Sequence, residues 1–371
     1  MLKIIYPDCP KELHKDYLKN FDVDGMQNDL DTILADPRYN NINRVVIEDL
    51  LVGSIEEILK VAFEIKSVAP TNNDLSLMKR IFNYDSENSP KKHQSNISTF
   101  FSNKRDQIKL DTCYFCNIDY ITSFSVLNEY GSGIDFIKYA SISELEAIKG
   151  VGVKKRKYLQ SVDFNKITDI DELELSDAIK NRLKSIDGDL RKGQFTLDHL
   201  LNKADYPLLA LSLYNFVPSC YACNSKFKRD SHLIESSCDS FLSPTSENFS
   251  FSDEVKFELF YQDLPSIDSI DDFDMWLTPK IKVDEYSKYI RTFKLNTRYN
   301  THKNDALDLI VKHRIYSPDK IREIASMLNL DVLQVKRHIF GDELFVKDDC
   351  EVPKSKFKKD IAENINLIID E

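Results

Sequence analysis

Four of the seven cysteines in this 371-residue chain fall into two Cys-x-x-Cys pairs, Cys113 with Cys116 and Cys220 with Cys223. Each pair can hold two thiolates about one tetrahedral edge apart. Two pairs make a closed four-sulfur set of the kind that binds a structural Zn²⁺. Between Cys116 and Cys220 lie 103 residues, whereas compact zinc ribbons have about 15 to 20, so a segment with its own fold must fill the gap and bring the chain back to its starting point. Two unrelated pairs, or a redox dithiol, are the alternatives. Four sulfur ligands leave no open position, so such a metal would fold the site and not catalyse. Asp198 and His199 precede the second pair, with Asn215 between, and Asn224 follows it directly. An imidazole with a pKa of about 6.5 can take a proton from water near neutral pH, and carboxylate and amide oxygens suit a hard divalent cation. An Asp-His dipeptide alone is an ordinary strand end.

Taken in order, CYFC (113–116), LDHL (197–200) and YNFVPSCYACNSK (214–226) resemble the His-Asn-His (HNH) endonucleases, with 15 residues between His199 and Asn215 and 8 between Asn215 and Asn224. The resemblance implies a ββα-metal core stapled by the four cysteines. His199 would activate water, and Asp198 and Asn224 would hold Mg²⁺ or Mn²⁺. Asn215 would brace the loop before the helix through backbone bonds, and Lys226, Lys228 and Arg229 would meet phosphate. The expected reaction is cleavage of DNA to 5′-phosphate and 3′-hydroxyl ends. A noncatalytic zinc module that binds nucleic acid or docks a partner is the rival reading. A third is a nuclease subunit that depends on a partner ATPase or other subunit, as in bacterial anti-phage defence systems.

Several elements must position these residues. LDTCYFCNIDYITSF (110–124) predicts a tight turn between strand-favouring residues, and FTLDHL (195–200) predicts a strand. Neighbours on a strand point to opposite faces, so Asp198 and His199 can share one site only if the strand ends or bends there. Within the insertion, SISELEAIKGVGVKKRKYLQ (141–160) resembles a helix-hairpin-helix. Gly150 and Gly152 would let backbone amides approach a phosphate, and Lys149, Lys154, Lys155, Arg156 and Lys157 would add sequence-independent affinity. Arg156 departs from that pattern, which has a small residue at its place. A plain helical turn with a solvated basic face is the alternative.

The flanks read as helical. Ser54 and Glu57 form a capping signal ahead of an apolar face, DSENSPKKHQSNIS (85–98) reads as a linker, and 317–341 has helix-turn-helix spacing with Asn329 at the turn. RYNTHKNDALDLIVKHRIYS (298–317) is similar to tails of some bacterial HNH proteins. Cys9, Cys238 and Cys350 read as inert, Trp276 as core, and His14 and His93 as solvated.

The expected architecture is therefore α+β and predominantly helical. It has a helical N-terminal region (1–100), a zinc-stapled core (101–232) interrupted by an insertion (133–190), and a helical C-terminal region (233–371). With 42% hydrophobic and 11% aromatic residues, such regions can bury real cores. No apolar run approaches the roughly 20 residues that span a bilayer, and no secretion signal is legible, so a cytoplasmic protein without a membrane partner is expected. The net charge is −11, yet residues 101–230 hold 19 Lys+Arg against 18 Asp+Glu. Contact with a polyanion therefore belongs to the middle of the chain.

Overall fold

Capping residues start the N-terminal helices. Ser54 accepts from the Glu57 amide while Glu57 reaches back to the Ser54 amide, and the helix Ile55–Ser67 that follows buries Ile55, Ile58, Leu59, Ala62 and Ile65. Thr71 and Asp74 form a second box ahead of Asn72–Ile81. The computed structural model describes residues 2–42, 44–85, 93–125, 130–164, 166–167, 169–185, 191–229, 233 and 242–367. The expected linker 85–98 falls partly outside this set, as does Cys238. From Gln94 it is no linker: Gln94–Asn103 is helical, because Ile97, Phe100 and Phe101 give it a buried face. His93, expected in solvent, is 8% exposed.

The protein is α+β and mostly helical. Its described strands are β1 (Ser123–Ser125), β2 (Arg191–Gly193), β3 (Thr196–His199), β4 (Phe216–Ser219), β5 (Val255–Tyr261) and β6 (Phe273–Pro279). They pair antiparallel in three two-stranded sheets: β1 with β2, β3 with β4, and β5 with β6.

The chain divides into two units: Met1–Ile97, Arg105–Thr122 and Phe195–Glu371 in one, Ser98–Lys104 and Ser123–Gln194 in the other. The N- and C-terminal regions, expected as flanks, both belong to the first unit. Tyr17 donates to the Leu211 carbonyl (2.7 Å), Ser212 to the Leu50 carbonyl, and Thr245 to the Tyr214 carbonyl (2.6 Å). These bonds tie the β3–β4 connection to both ends of the sequence.

In the second unit β1 and β2 bring Ser123 beside Gly193, so a long insertion closes on itself. It has a core of its own, with Phe136, Leu145, Ile148, Leu159, Ile179 and Leu183 buried. Its helices Ile142–Ala147 and Val153–Gln160 flank Gly150 at φ +97, a value that favours glycine.

The C-terminal region is not purely helical. VKFEL and FDMWL alternate with period two, so Val255, Phe257, Leu259, Phe273, Met275 and Leu277 point inward while Trp276, expected as core, is 53% exposed. Asp360 and Asn364 on helix Ser355–Asn364 accept from the amides of Phe257 and Leu259 at 3.0 and 3.1 Å, which satisfies the free edge of β5. The helices Pro318–Leu328 and Val332–Phe340 flank Asn329 at φ 53. Ile321, Ala325 and Val335 are buried there, whereas Leu328 is exposed.

Candidate functional site

The segment 112–120 folds back on itself, with Thr112 bridging Tyr120 and Asn117 in the left-handed region at φ 53. The Cys113 carbonyl accepts from the amides of Cys116 (3.2 Å) and Asn117 (2.7 Å), closing the first knuckle. The second knuckle follows β4 without a gap: Cys220 comes directly after the strand, and Cys223 lies in a π-helix, Ala222–Lys228. All four sulfurs are buried and within 4.8 Å of one another, and Cys116 and Cys220 are 4.0 Å apart. Zn–S bonds of about 2.3 Å put tetrahedral sulfurs about 3.8 Å apart, so the set is placed to bind a metal ion and fits zinc.

Two backbone amides donate to sulfurs of the cluster, while burial pushes the Cys113 and Cys223 thiols well above the ordinary range. The Cys220 amide donates to Cys113 Sγ (3.3 Å) and the Ile118 amide to Cys116 Sγ (3.4 Å). Arg298, unforeseen from the sequence, donates to Cys223 Sγ (3.2 Å), Cys116 Sγ (3.4 Å) and Asp119 (3.3 Å), and its guanidinium lies over the Phe227 ring. Burial by itself would raise the Cys116 thiol, but bonds with the other three cysteines and the Arg298 charge hold it well below the usual range. Four thiolates around a Zn²⁺ would carry a net charge of −2, which the half-buried Arg298 guanidinium would offset in part. Tyr299 also donates to the Cys116 carbonyl (2.7 Å).

On the hairpin, Asp198 pairs with Val217 and His199 with Phe216. Strand alternation then gives their side chains different neighbours, and among the described residues no hydrogen bond joins the two. The His199 ring packs against Tyr84 and Phe216, at centroid distances of 4.7 and 4.8 Å, and its Nε2 lies 3.0 Å from the Ala210 carbonyl. A carbonyl only accepts, so Nε2 carries the proton and Nδ1 keeps its lone pair. Burial pulls the ring down to about 4, opposed by the bond to Ala210. Asn215 is fully buried. Its amide accepts from the Leu201 amide (2.8 Å) and donates to the carbonyls of Leu201 (3.2 Å) and Leu209 (2.9 Å).

Asp198 is buried and faces Lys228, whose Nζ is 2.9 Å from its Oδ2 and donates to the His199 carbonyl at 2.8 Å. This contact is a buried charge pair. Burial pushes the Asp198 carboxyl up to about 6, with the Lys228 charge opposing. Lys228, expected on a phosphate-facing surface, is 2% exposed, because the π-helix turns it back onto β3. Lys226 and Arg229 are exposed.

This geometry does not fit Mg²⁺ or Mn²⁺ at Asp198. Two unit charges 4 Å apart repel by about 4 kcal/mol at an effective dielectric constant near 20, and a divalent ion beside Lys228 doubles that to about 8 kcal/mol. Asn224 joins the helix through its backbone, its amide to Cys220 and its carbonyl to Arg229, and no hydrogen bond links it to Asp198 among the described residues.

A groove of about 490 Å³ is lined by Tyr84 and Ala210, which touch the His199 imidazole, and by Lys79, Arg80, Lys203 and Asp85, the last two forming an ion pair. No residue pattern pointed to Lys79, Arg80 or Tyr84, since they stand more than a hundred residues before His199. In the second unit, Lys149, Lys154, Lys155 and Lys157 are exposed at the glycine turn, as are Gly150 and Gly152. Arg156 instead turns inward to Glu146, at 2.9 Å. Lys155 donates to the Gly150 carbonyl at 3.0 Å. Compared with models of protein families, with curated proteins and with solved structures, the chain matches none.

Proposed function

We propose that this protein is an HNH-like nuclease that hydrolyses phosphodiester bonds in DNA, with His199 as general base. The observation that carries the reading is the placing of His199: its ring packs on Tyr84 and bonds to the Ala210 carbonyl, two residues that line a groove together with Lys79, Arg80, Lys203 and Asp85, on a hairpin that runs straight into the cysteine cluster. A metal held by four sulfurs fixes the end of β4 and the start of the π-helix, and so holds the hairpin in register. Asn215 braces the connection that carries the Ala210 carbonyl, and that carbonyl sets the imidazole tautomer.

The neutral ring is the form present at pH 7, and its free Nδ1 can take a proton from water. The resulting hydroxide attacks phosphorus as the bond to the 3′ oxygen breaks, and that oxygen takes a proton from solvent water while the imidazolium returns its own to solvent. Lys79 and Arg80 would neutralise phosphate in the groove, where Lys203 is already paired with Asp85, and a phosphate bound near the imidazole would raise its basicity from the low value that burial imposes. Lys149, Lys154, Lys155 and Lys157 at the glycine turn would add DNA affinity without sequence preference.

One observation favours a second reading, a noncatalytic zinc module that binds nucleic acid: Asp198 is already paired with Lys228. Zinc-loaded protein incubated with supercoiled DNA separates the two. The nuclease reading expects nicking that His199→Ala lowers by roughly 10²–10⁴-fold with zinc content unchanged. Cutting by the variant at the normal rate contradicts it, and binding without cleavage supports the second reading. Cleavage that begins only when a partner ATPase is added would mark a subunit of a defence assembly.

A further inference from the structure

We infer that the Lys228 ammonium, and not a divalent ion, is the cation that Asp198 holds in the folded protein. Two oxygens from adjacent residues, Asp198 Oδ2 at 2.9 Å and the His199 carbonyl at 2.8 Å, converge on Nζ. A carboxylate beside a carbonyl is the kind of oxygen pair that suits a hard cation. The side chains of Lys228 and Asp198 are only 3% and 5% exposed. Lysine and aspartate are rarely buried so completely unless paired, and here they neutralise each other away from water.

The backbone supports the placement. The helix that carries Lys228 is of the π type, closed by a bond from the Arg229 amide to the Asn224 carbonyl (3.1 Å), and Arg229 sits at φ 47, which a non-glycine residue adopts at a cost. An irregular turn at this point aims Lys228 under β3. Removal of the ammonium would leave two oxygens, Asp198 Oδ2 and the His199 carbonyl, without the cation they share.

It follows that metal in this protein belongs at the cysteine cluster, and that a divalent ion reaches Asp198 only after Lys228 leaves. The inference stands on the geometry of the pair and not on the nuclease reading, so its test reads metal binding alone. Zinc-loaded protein is titrated with Mn²⁺ and free Mn²⁺ is followed by electron paramagnetic resonance. Wild type and Asp198→Asn are expected to bind Mn²⁺ equally weakly. Lys228→Ala is expected to gain one ion at least ten-fold tighter than wild type, and the Lys228→Ala/Asp198→Asn double variant to lose it. An ion bound by wild type and lost in Asp198→Asn overturns the inference, as does a folded, zinc-replete Lys228→Ala protein that gains none. Should Lys228→Ala not fold, Lys228→Gln and the comparison of wild type with Asp198→Asn still decide the matter. A wild-type protein that binds Mn²⁺ through Asp198 and cleaves DNA would overturn this inference and leave the nuclease reading standing.

Discussion

Asn215 holds the β3–β4 connection through three bonds to backbone, and a buried backbone group left without its partner costs about 1–3 kcal/mol. Asn215→Ala should therefore lose roughly 3 kcal/mol of stability in urea unfolding, and a loss below about 1 kcal/mol would mean the brace is dispensable. His199 and Asp198 make opposite contributions with pH. The ring, at about 4 when folded against 6.5 when free, binds fewer protons in the folded state. Its stabilising contribution is present above 6.5 and lost as pH falls toward 4. Asp198, at about 6 against 3.8, does the reverse: its contribution is present below 3.8 and lost as pH rises through 6. In wild type the two largely offset one another between about 4 and 6. His199→Gln removes one arm, so between pH 7.5 and 4.5 the variant should gain stability relative to wild type, by at most about 3 kcal/mol. The same pH dependence in both proteins would show that the ring is not desolvated.

Two turns show how local geometry limits what a position tolerates. Gly150 sits at φ +97, and a Cβ there would meet Ile179 only at ordinary contact distance, so Gly150→Ala is opposed by backbone strain alone. It should cost about 1–3 kcal/mol, whereas Gly152→Ala, with φ −94 and nothing within 4 Å, should be close to neutral. Thermal unfolding of the two variants side by side checks this, and equal effects would contradict the turn. Helix Leu295–Asn300 meets the cysteine cluster through Arg298. Removing such an outer partner of a metal ligand commonly weakens the site 10- to 100-fold. Arg298→Ala should lose zinc to a competing chelator at least about ten-fold faster than wild type, and an unchanged rate would reduce Arg298 to packing.

Across the chain, the two units are expected to depend differently on a metal at the cysteine cluster. The first knuckle receives the Lys354 amide on the Asn117 carbonyl (2.6 Å), Asn117 donates to the Asp349 carbonyl (2.9 Å), and the Leu2 amide donates to the Tyr114 carbonyl (2.8 Å). Both ends of the sequence are thus fastened to the cluster. The unit Ser123–Gln194 has its own apolar core and no cysteine. Zinc removal should raise hydrogen exchange around residues 2–5, 113–120 and 349–357 while amides of helix Val153–Gln160 keep their protection. Uniform loss in both units would show a single cooperative structure, and no change would show that metal is not needed for folding.

Features that depend on near neighbours could be read along the chain. The two Cys-x-x-Cys knuckles, the Ser54–Glu57 box, the glycine turn of the insertion and the strand at TLDH follow from spacings of a few residues, and each is present in the fold. The β5–β6 hairpin was also legible, in the alternation of VKFEL and FDMWL, although the region read as helical. Only the tertiary structure decided which charges meet. Arg298 reaches a sulfur 182 positions away, Lys228 turns under β3 because its helix is of the π type, and strand alternation parts Asp198 from His199. Caps, turns and knuckles are set by residues within a turn or two. Ion pairs, burial and the tautomer of a histidine are set by whatever distant segments the fold brings into contact.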